Sequence, residues 1–222
     1  MTSLLSSLQS LLIFAIPVLF AITVHEVAHG WLANKLGDPT ARMLGRLTLN
    51  PVKHIDPVGT IIIPAMAYYL GGFLFGWAKP VPVNWDNLRS PRRDMALVAV
   101  VGPMSNLLMA VVWAFIIKTL VWGWGDSIEL GVGVTGALLQ MAAVGVQINA
   151  ILMLLNLLPI PPLDGSRVVR SFLPVSWTRY YDRLEPFGFF ILIALLALGA
   201  LGKLLGPLAQ QLMMGLLHLL GL

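Results

Sequence analysis

A chain of 222 residues that is 58% hydrophobic and 11% charged, with a mean hydropathy of +0.85, is not an ordinary soluble domain, where about a quarter of residues carry charge. It reads as an all-α polytopic membrane protein folded as one bundle. The chain has no cysteine, which excludes disulfides and thiolate ligands and leaves histidine and carboxylate as the groups that can hold a metal. A net charge of +4 is compatible with nucleic-acid binding, but the Lys and Arg residues cluster in loops that follow apolar runs. That is the positive-inside bias of a membrane protein, so the charge reports topology and no nucleic-acid partner is expected.

Met1 to Ser10 carries no Lys or Arg, so it lacks the basic region of a secretory signal. The first apolar run is expected to stay as an anchor with its N-terminus outside. This first helix, roughly Leu8 to Leu36, stops at Gly37-Asp38-Pro39. Within it lies His25-Glu26-Val27-Ala28-His29, an H-E-x-x-H pattern. Two histidines four apart on a helix point to one side, one turn above the other. Their imidazoles can share a zinc ion, and the glutamate beside the first is placed to take a proton from an attacking water. Three ionisable side chains in a membrane-length apolar helix are costly and need a shared purpose; a proton or ion path is the other purpose they serve. His25 lies ten residues before Lys35, about 15 Å from that end at 1.5 Å per residue. The pair is therefore inside the hydrocarbon layer, nearer the basic side. Arg42, Arg46 and Lys53 in the loop 37–57 make that side cytoplasmic.

Residues 58–78 are long and apolar enough to span, yet both flanks are basic and ask for the cytoplasm. A re-entrant segment resolves this: a helix from about Pro57 to Leu70, a turn at Gly71-Gly72, and an extended return from Phe73 to Lys79; the alternative is a plain transmembrane helix in a chain that breaks the charge rule. Pro80 and Pro82 then suggest an exposed extended edge at Lys79 to Asn84, able to hold a peptide by strand addition. The second span runs from Met95 to about Trp122, with Gly102-Pro103-Met104-Ser105-Asn106 in its first half, read as close packing and a kink. The loop from Gly123 to Gly136 holds Asp126 and Glu129 and no basic residue, which fits the outside. The third span, about Thr135 to Leu158, ends in Asn156-Leu157-Leu158-Pro159-Ile160-Pro161-Pro162-Leu163-Asp164-Gly165. Its prolines cannot continue a helix, so the chain unwinds and sets Asn156 and Asp164 at a depth comparable to the histidines. A basic segment with Arg167, Arg170, Arg179 and Arg183 follows. One or two C-terminal helices fill 187–222, with a break expected at Lys203 and Gly206-Pro207. His218 in that tail is read as incidental.

A catalytic zinc site takes three protein ligands and leaves a fourth position open. His25 and His29 supply two, and Asp164, in a Pro-framed turn at the end of a membrane helix, is the best candidate for the third. With the three motifs side by side, the chain resembles the site-2 protease family of intramembrane zinc metalloproteases. The resemblance rests on H-E-x-x-H in one span, N-x-x-P-x-P-x-L-D-G at the end of another and G-P-x-x-N between them, over residues 20 to 170. It implies one Zn2+ per chain held by His25, His29 and Asp164, with Glu26 as general base and acid. It implies that Asn156 helps to hold the substrate or the developing oxyanion. The implied substrate is a transmembrane segment of another protein, and the implied setting is a prokaryotic plasma membrane with the active site toward the cytoplasm.

His54, in Asn50-Pro51-Val52-Lys53-His54-Ile55-Asp56-Pro57, is similar to a pattern in compact members without a PDZ domain, and is a candidate for steadying the oxyanion or gating the site. An interfacial capping role is the alternative. Neither a PDZ nor a CBS domain finds room, so a single protease domain over 1–222 is expected, its core at about 8–170. Two readings from other classes stand beside the enzyme: a proteolytically silent zinc-binding membrane adaptor, and an ion or metal transporter.

Overall fold

The computed structural model describes residues 2–63, 66, 78–125 and 132–222. Among these residues there is no strand. The long helices are α1 (Thr2–Leu36), α3 (Pro91–Trp124) and α4 (Gly133–Asn156). Shorter ones are α2 (Thr40–Met43), α5 (Asp164–Phe172), α6 (Val175–Asp182), α7 (Glu185–Ala197) and α8 (Ala200–Leu219). The three spans predicted from sequence correspond to Leu8–Leu36, Pro91–Trp124 and Gly133–Asn156, each long and apolar enough to cross a membrane. At 34 residues α3 is about 50 Å long, well over the roughly 30 Å of a hydrocarbon core.

These three helices pack on one another, and small side chains are the reason they can. Ala110, Ala114 and Ile117 of α3 meet Ala142 and Val146 of α4 in a buried seam. Gly145 of α4 lies against the indole of Trp113, where a Cβ would stand 2.6 Å from Cε2. Without a hydrophobic driving force between helices in lipid, such close approach and its dispersion contacts hold the bundle. Helix α8 closes the seam with Met213, Leu216 and Leu217, and Leu220 just beyond its end joins them.

The chain leaves α1 through Gly37, at φ +119, and Asp38 then ties the exit down. Asp38 is fully buried and accepts from the Thr40 amide (3.1 Å), the Asn84 amide (2.8 Å) and Asn87 Nδ2 (2.9 Å). Burial pushes its carboxyl up, but the bonds from Thr40, Asn87 and Asn84 outweigh that and hold it below its ordinary range. Through Asp38 the segment 84–87 is bound to the end of the helix that carries the histidines.

Residues Pro57–Ile62 form one wide helical turn capped by Asp56, whose Oδ1 accepts from the Val58 (3.0 Å) and Gly59 (2.7 Å) amides. The Gly71-Gly72 turn and most of the return limb of the expected re-entrant segment lie outside the described residues, as do Asp126 and Glu129. The C-terminal break differs from expectation. The chain turns at Gly199, at φ +69, and α7 and α8 meet at 77°. Pro207 sits inside α8, where it forfeits the bond to the Lys203 carbonyl and the helix nonetheless continues. A left-handed residue at a helix end favours glycine, and Gly199 meets that need where Gly206-Pro207 does not.

Candidate metal centre

His25 and His29 lie on one face of α1, both buried, with their Nε2 atoms 3.0 Å apart. Asp164 Oδ2 stands 3.1 Å from Nε2 of His25 and 3.2 Å from Nε2 of His29. The ring nitrogens that face away are each held. His25 Nδ1 is 2.7 Å from Asn106 Oδ1, and His29 Nδ1 is 2.6 Å from the Val98 carbonyl. Both partners are acceptors, so both Nδ1 atoms carry the proton and donate. In neutral imidazoles the two Nε2 atoms are then bare lone pairs. Asp164 Oδ2 is buried without a hydrogen-bond donor. Three electron-rich atoms thus converge with no proton between them, an arrangement that repels unless a cation occupies the centre. They are the one group of three His, Asp or Glu residues among the described residues that could hold a metal ion. Two nitrogens and one carboxylate match the donor set of a catalytic zinc, whose bonds of about 2.0–2.1 Å would set tetrahedral ligand atoms roughly 3.3 Å apart.

The second motif reaches the first because the turn after α4 is tightly built. Leu163 N–H donates to the Ile160 carbonyl (2.9 Å), and Ser166 N–H to the Leu163 carbonyl (3.0 Å). Gly165 lets α5 start directly against the end of α4, since a Cβ there would run into the carbonyls of Leu157 and Leu158. Gly188 of α7 makes the same allowance at the Pro161 carbonyl. Arg170 pairs with Asp182 through Nε (2.6 Å) and Nη2 (2.9 Å), Arg167 pairs with Glu185, and Tyr181 Oη donates to the Pro159 carbonyl (2.9 Å). The carboxylate that faces the histidines is therefore carried on a braced turn.

Glu26 is partly buried, and its Oε2 accepts from the Val81 amide at 2.6 Å. Gly30 makes room for this segment, because a Cβ would lie 2.7 Å from Val81 Cγ1. The open edge expected at Lys79 to Asn84 is mostly engaged by the protein itself. Lys79 N–H donates to the His54 carbonyl (2.9 Å), Asn84 N–H to Asp38, and Arg46 Nη2 to the Lys79 carbonyl (2.8 Å). Pro80 and Pro82 have no N–H to offer. The segment is a strap over Glu26.

His54 and Asn156 are not brought to the trio. His54 is buried, and its Nε2 donates to the Thr48 carbonyl at 2.9 Å. His54 lines a small cavity with Leu19, Ile22 and Thr23 of α1. Asn156 ends α4, and its Nδ2 donates to the Leu152 carbonyl at 3.0 Å. The residues that sequence reasoning passed over are Gly102, read as packing, together with Val98, Asn106 and Asn149. Gly102 touches the histidine rings directly: a Cβ there would stand 2.7 Å from His25 Cε1 and nearer still to His29. The G-P-x-x-N pattern was the available signal.

Over 180 residues the chain is 39% identical to "Putative zinc metalloprotease YwhC" of Bacillus subtilis, covering 81% of this chain and 78% of that one. The chain belongs to peptidase family M50, the site-2 proteases. The sequence profile of Peptidase family M50 matches residues 128–199, which include the Asp164 turn. A protein of the same zinc metalloprotease description, Rip2 of Mycolicibacterium smegmatis, is 30% identical over 187 residues, covering 83% of this chain and 66% of its own. No solved structure matches the chain. The protein is accordingly an integral membrane metalloprotease, and the family's cofactor is zinc.

Proposed function

We propose that this M50 protease hydrolyses a peptide bond within or near the transmembrane segment of a membrane-protein substrate, using His25, His29 and Asp164 to hold zinc and Glu26 to move the proton. The observation that carries the reading is the convergence of His25 Nε2, His29 Nε2 and Asp164 Oδ2 within 3.2 Å on the helix that also bears Glu26. Zinc bound there supplies Lewis acidity toward the scissile carbonyl and lowers the pKa of the attacking water.

The chain's own residues do the rest. Glu26 takes the proton from the attacking water and returns it to the leaving amine. The Val81 N–H, at 2.6 Å, fixes one carboxylate oxygen and leaves the other for that proton. Asn156, which ends α4 before the Asp164 turn, orients the substrate or donates to the oxyanion once its amide turns from the Leu152 carbonyl it bonds here. A transmembrane helix hides its carbonyls in its own hydrogen bonds, so the substrate must unwind before attack. The basic loop after α1 supports a cytoplasmic position for the site, from which water enters.

The test is Glu26→Gln in full-length protein purified in detergent. Zinc content is expected to stay at one per chain while cleavage of a transmembrane substrate falls by about 10²- to 10⁴-fold, the range of general acid–base catalysis. Zinc-loaded wild type that cleaves nothing, with Glu26→Gln indistinguishable from it, would favour the silent adaptor. Metal uptake into sealed vesicles would favour the transporter.

A further inference from the structure

We propose that Asn149 is a positioning residue for the metal centre, acting through Asn106 to decide which nitrogen of His25 faces the metal. This rests on the reading of His25 as a zinc ligand. Both asparagines are fully buried, on α4 and α3 respectively, and neither touches the converging atoms. Asn149 Nδ2 donates to the Gly145 carbonyl at 2.8 Å. A backbone carbonyl can only accept, so this contact fixes the amide with its Oδ1 turned the other way. Asn149 Oδ1 then accepts from Asn106 Nδ2 at 2.9 Å. The other Nδ2 hydrogen of Asn106 goes to the Ala21 carbonyl of α1 at 3.2 Å. With both amide hydrogens committed, Asn106 presents only Oδ1 to His25 Nδ1, at 2.7 Å. His25 must therefore hold a proton on Nδ1, which leaves Nε2 as the nitrogen turned toward Asp164 and His29.

The two histidines differ in how this is secured. His29 Nδ1 donates to a backbone carbonyl, which cannot turn over. His25 donates to a side-chain amide, and an unrestrained amide can rotate and present its NH2 instead. A donor in that position would draw the His25 proton to Nε2, where it would block the metal. Asn149, with the longer bond to the Ala21 carbonyl, removes that freedom, because a rotated Asn106 would set its oxygen against both acceptors. The chain Gly145–Asn149–Asn106–His25 thus passes a choice of orientation from a helix backbone to a ligand atom across three helices.

The first measurement uses zinc-free wild type, full length in detergent micelles, with 15N-labelled histidine. The His25 signals are assigned against a His25→Gln variant. A proton on His25 Nδ1 is expected whatever Nε2 holds in the absence of metal, and a bare Nδ1 overturns the inference. The second measurement is zinc affinity by chelator competition. Asn106→Ala is expected to weaken binding by about 10- to 100-fold, the range for partners that orient metal ligands. Asn149→Ala is expected to weaken it by about tenfold, and the double variant to bind no more weakly than Asn106→Ala alone. In Asn149→Ala a form with a bare Nδ1 should appear at His25 and not at His29. An unchanged affinity in Asn149→Ala, or full multiplicative losses in the double variant, overturns the proposal. Should Asn149→Ala not fold, the wild-type nitrogen spectrum still decides. Wild type that binds no zinc refutes the metal-site reading, and that spectrum again decides this one.

Discussion

Gly102→Ala is the substitution for which helix propensity and site geometry predict opposite outcomes. In an isolated helix alanine is favoured over glycine by about 1 kcal/mol, so on propensity alone α3 should gain stability. The added methyl, however, would stand 2.7 Å from His25 Cε1, and nearer to His29 Cε1 and Nε2. Carbon atoms rest at about 3.5–4.0 Å, so the rings must retreat by roughly 1 Å or α3 must move away from α1. His25 and His29 are held from behind by Asn106 and Val98, which leaves the rings little room to yield. Overpacking of this kind costs about 1–3 kcal/mol, and a 1 Å misplacement of catalytic groups costs about 10²-fold in rate. The assay is cleavage of a transmembrane substrate together with zinc affinity by chelator competition. Gly202→Ala on α8, where a Cβ meets nothing within 4 Å, is the control. Cleavage by Gly102→Ala is expected to fall about 100-fold or more with weakened zinc, while Gly202→Ala stays near wild type. A Gly102→Ala protein that melts higher, holds zinc and cleaves normally would refute the reasoning.

Asp164→Ala removes one of the three converging atoms, and zinc affinity should fall by more than the roughly 100-fold carried by outer partners. Chelator competition checks this, and an unchanged affinity would detach the second motif from the centre. Asp38 is held below its unfolded value of about 3.9, so its contribution to stability is fully present above that pH and is lost as pH falls through the lower folded value. Thermal melts in detergent should show the acid loss in wild type and a shallower one in Asp38→Asn. That variant should be less stable at neutral pH by about 1–3 kcal/mol, because the Asn84 amide loses its acceptor. Identical acid profiles would remove Asp38 as the source.

What the sequence alone determined was whatever depends on local periodicity and composition. Apolar runs longer than a bilayer is thick give spans at α1, α3 and α4, and a four-residue spacing on a helix brings His25 and His29 to a shared point. Pro159, Pro161 and Pro162 likewise stop a helix wherever the rest of the chain lies. Asp164 was reachable because its motif pairs with the first. Its contact with both histidines, however, depends on the close backbone approach that Gly165, the last residue of that motif, and Gly188 admit, against carbonyls that the sequence does not identify. The tertiary structure alone decided the backing of the histidines. Val98, Asn106 and Asn149 are separated from α1 by long stretches of chain, and their roles appear only when three helices meet. Gly102 is harder still to read, since its contribution is the space left by a side chain it does not have. The strap over Glu26 depends on Asp38, Arg46 and His54 binding one segment from different parts of the chain. Helical spacing is fixed by neighbours in sequence, whereas the direction of a proton on a ring is fixed by whichever acceptor the fold places behind it.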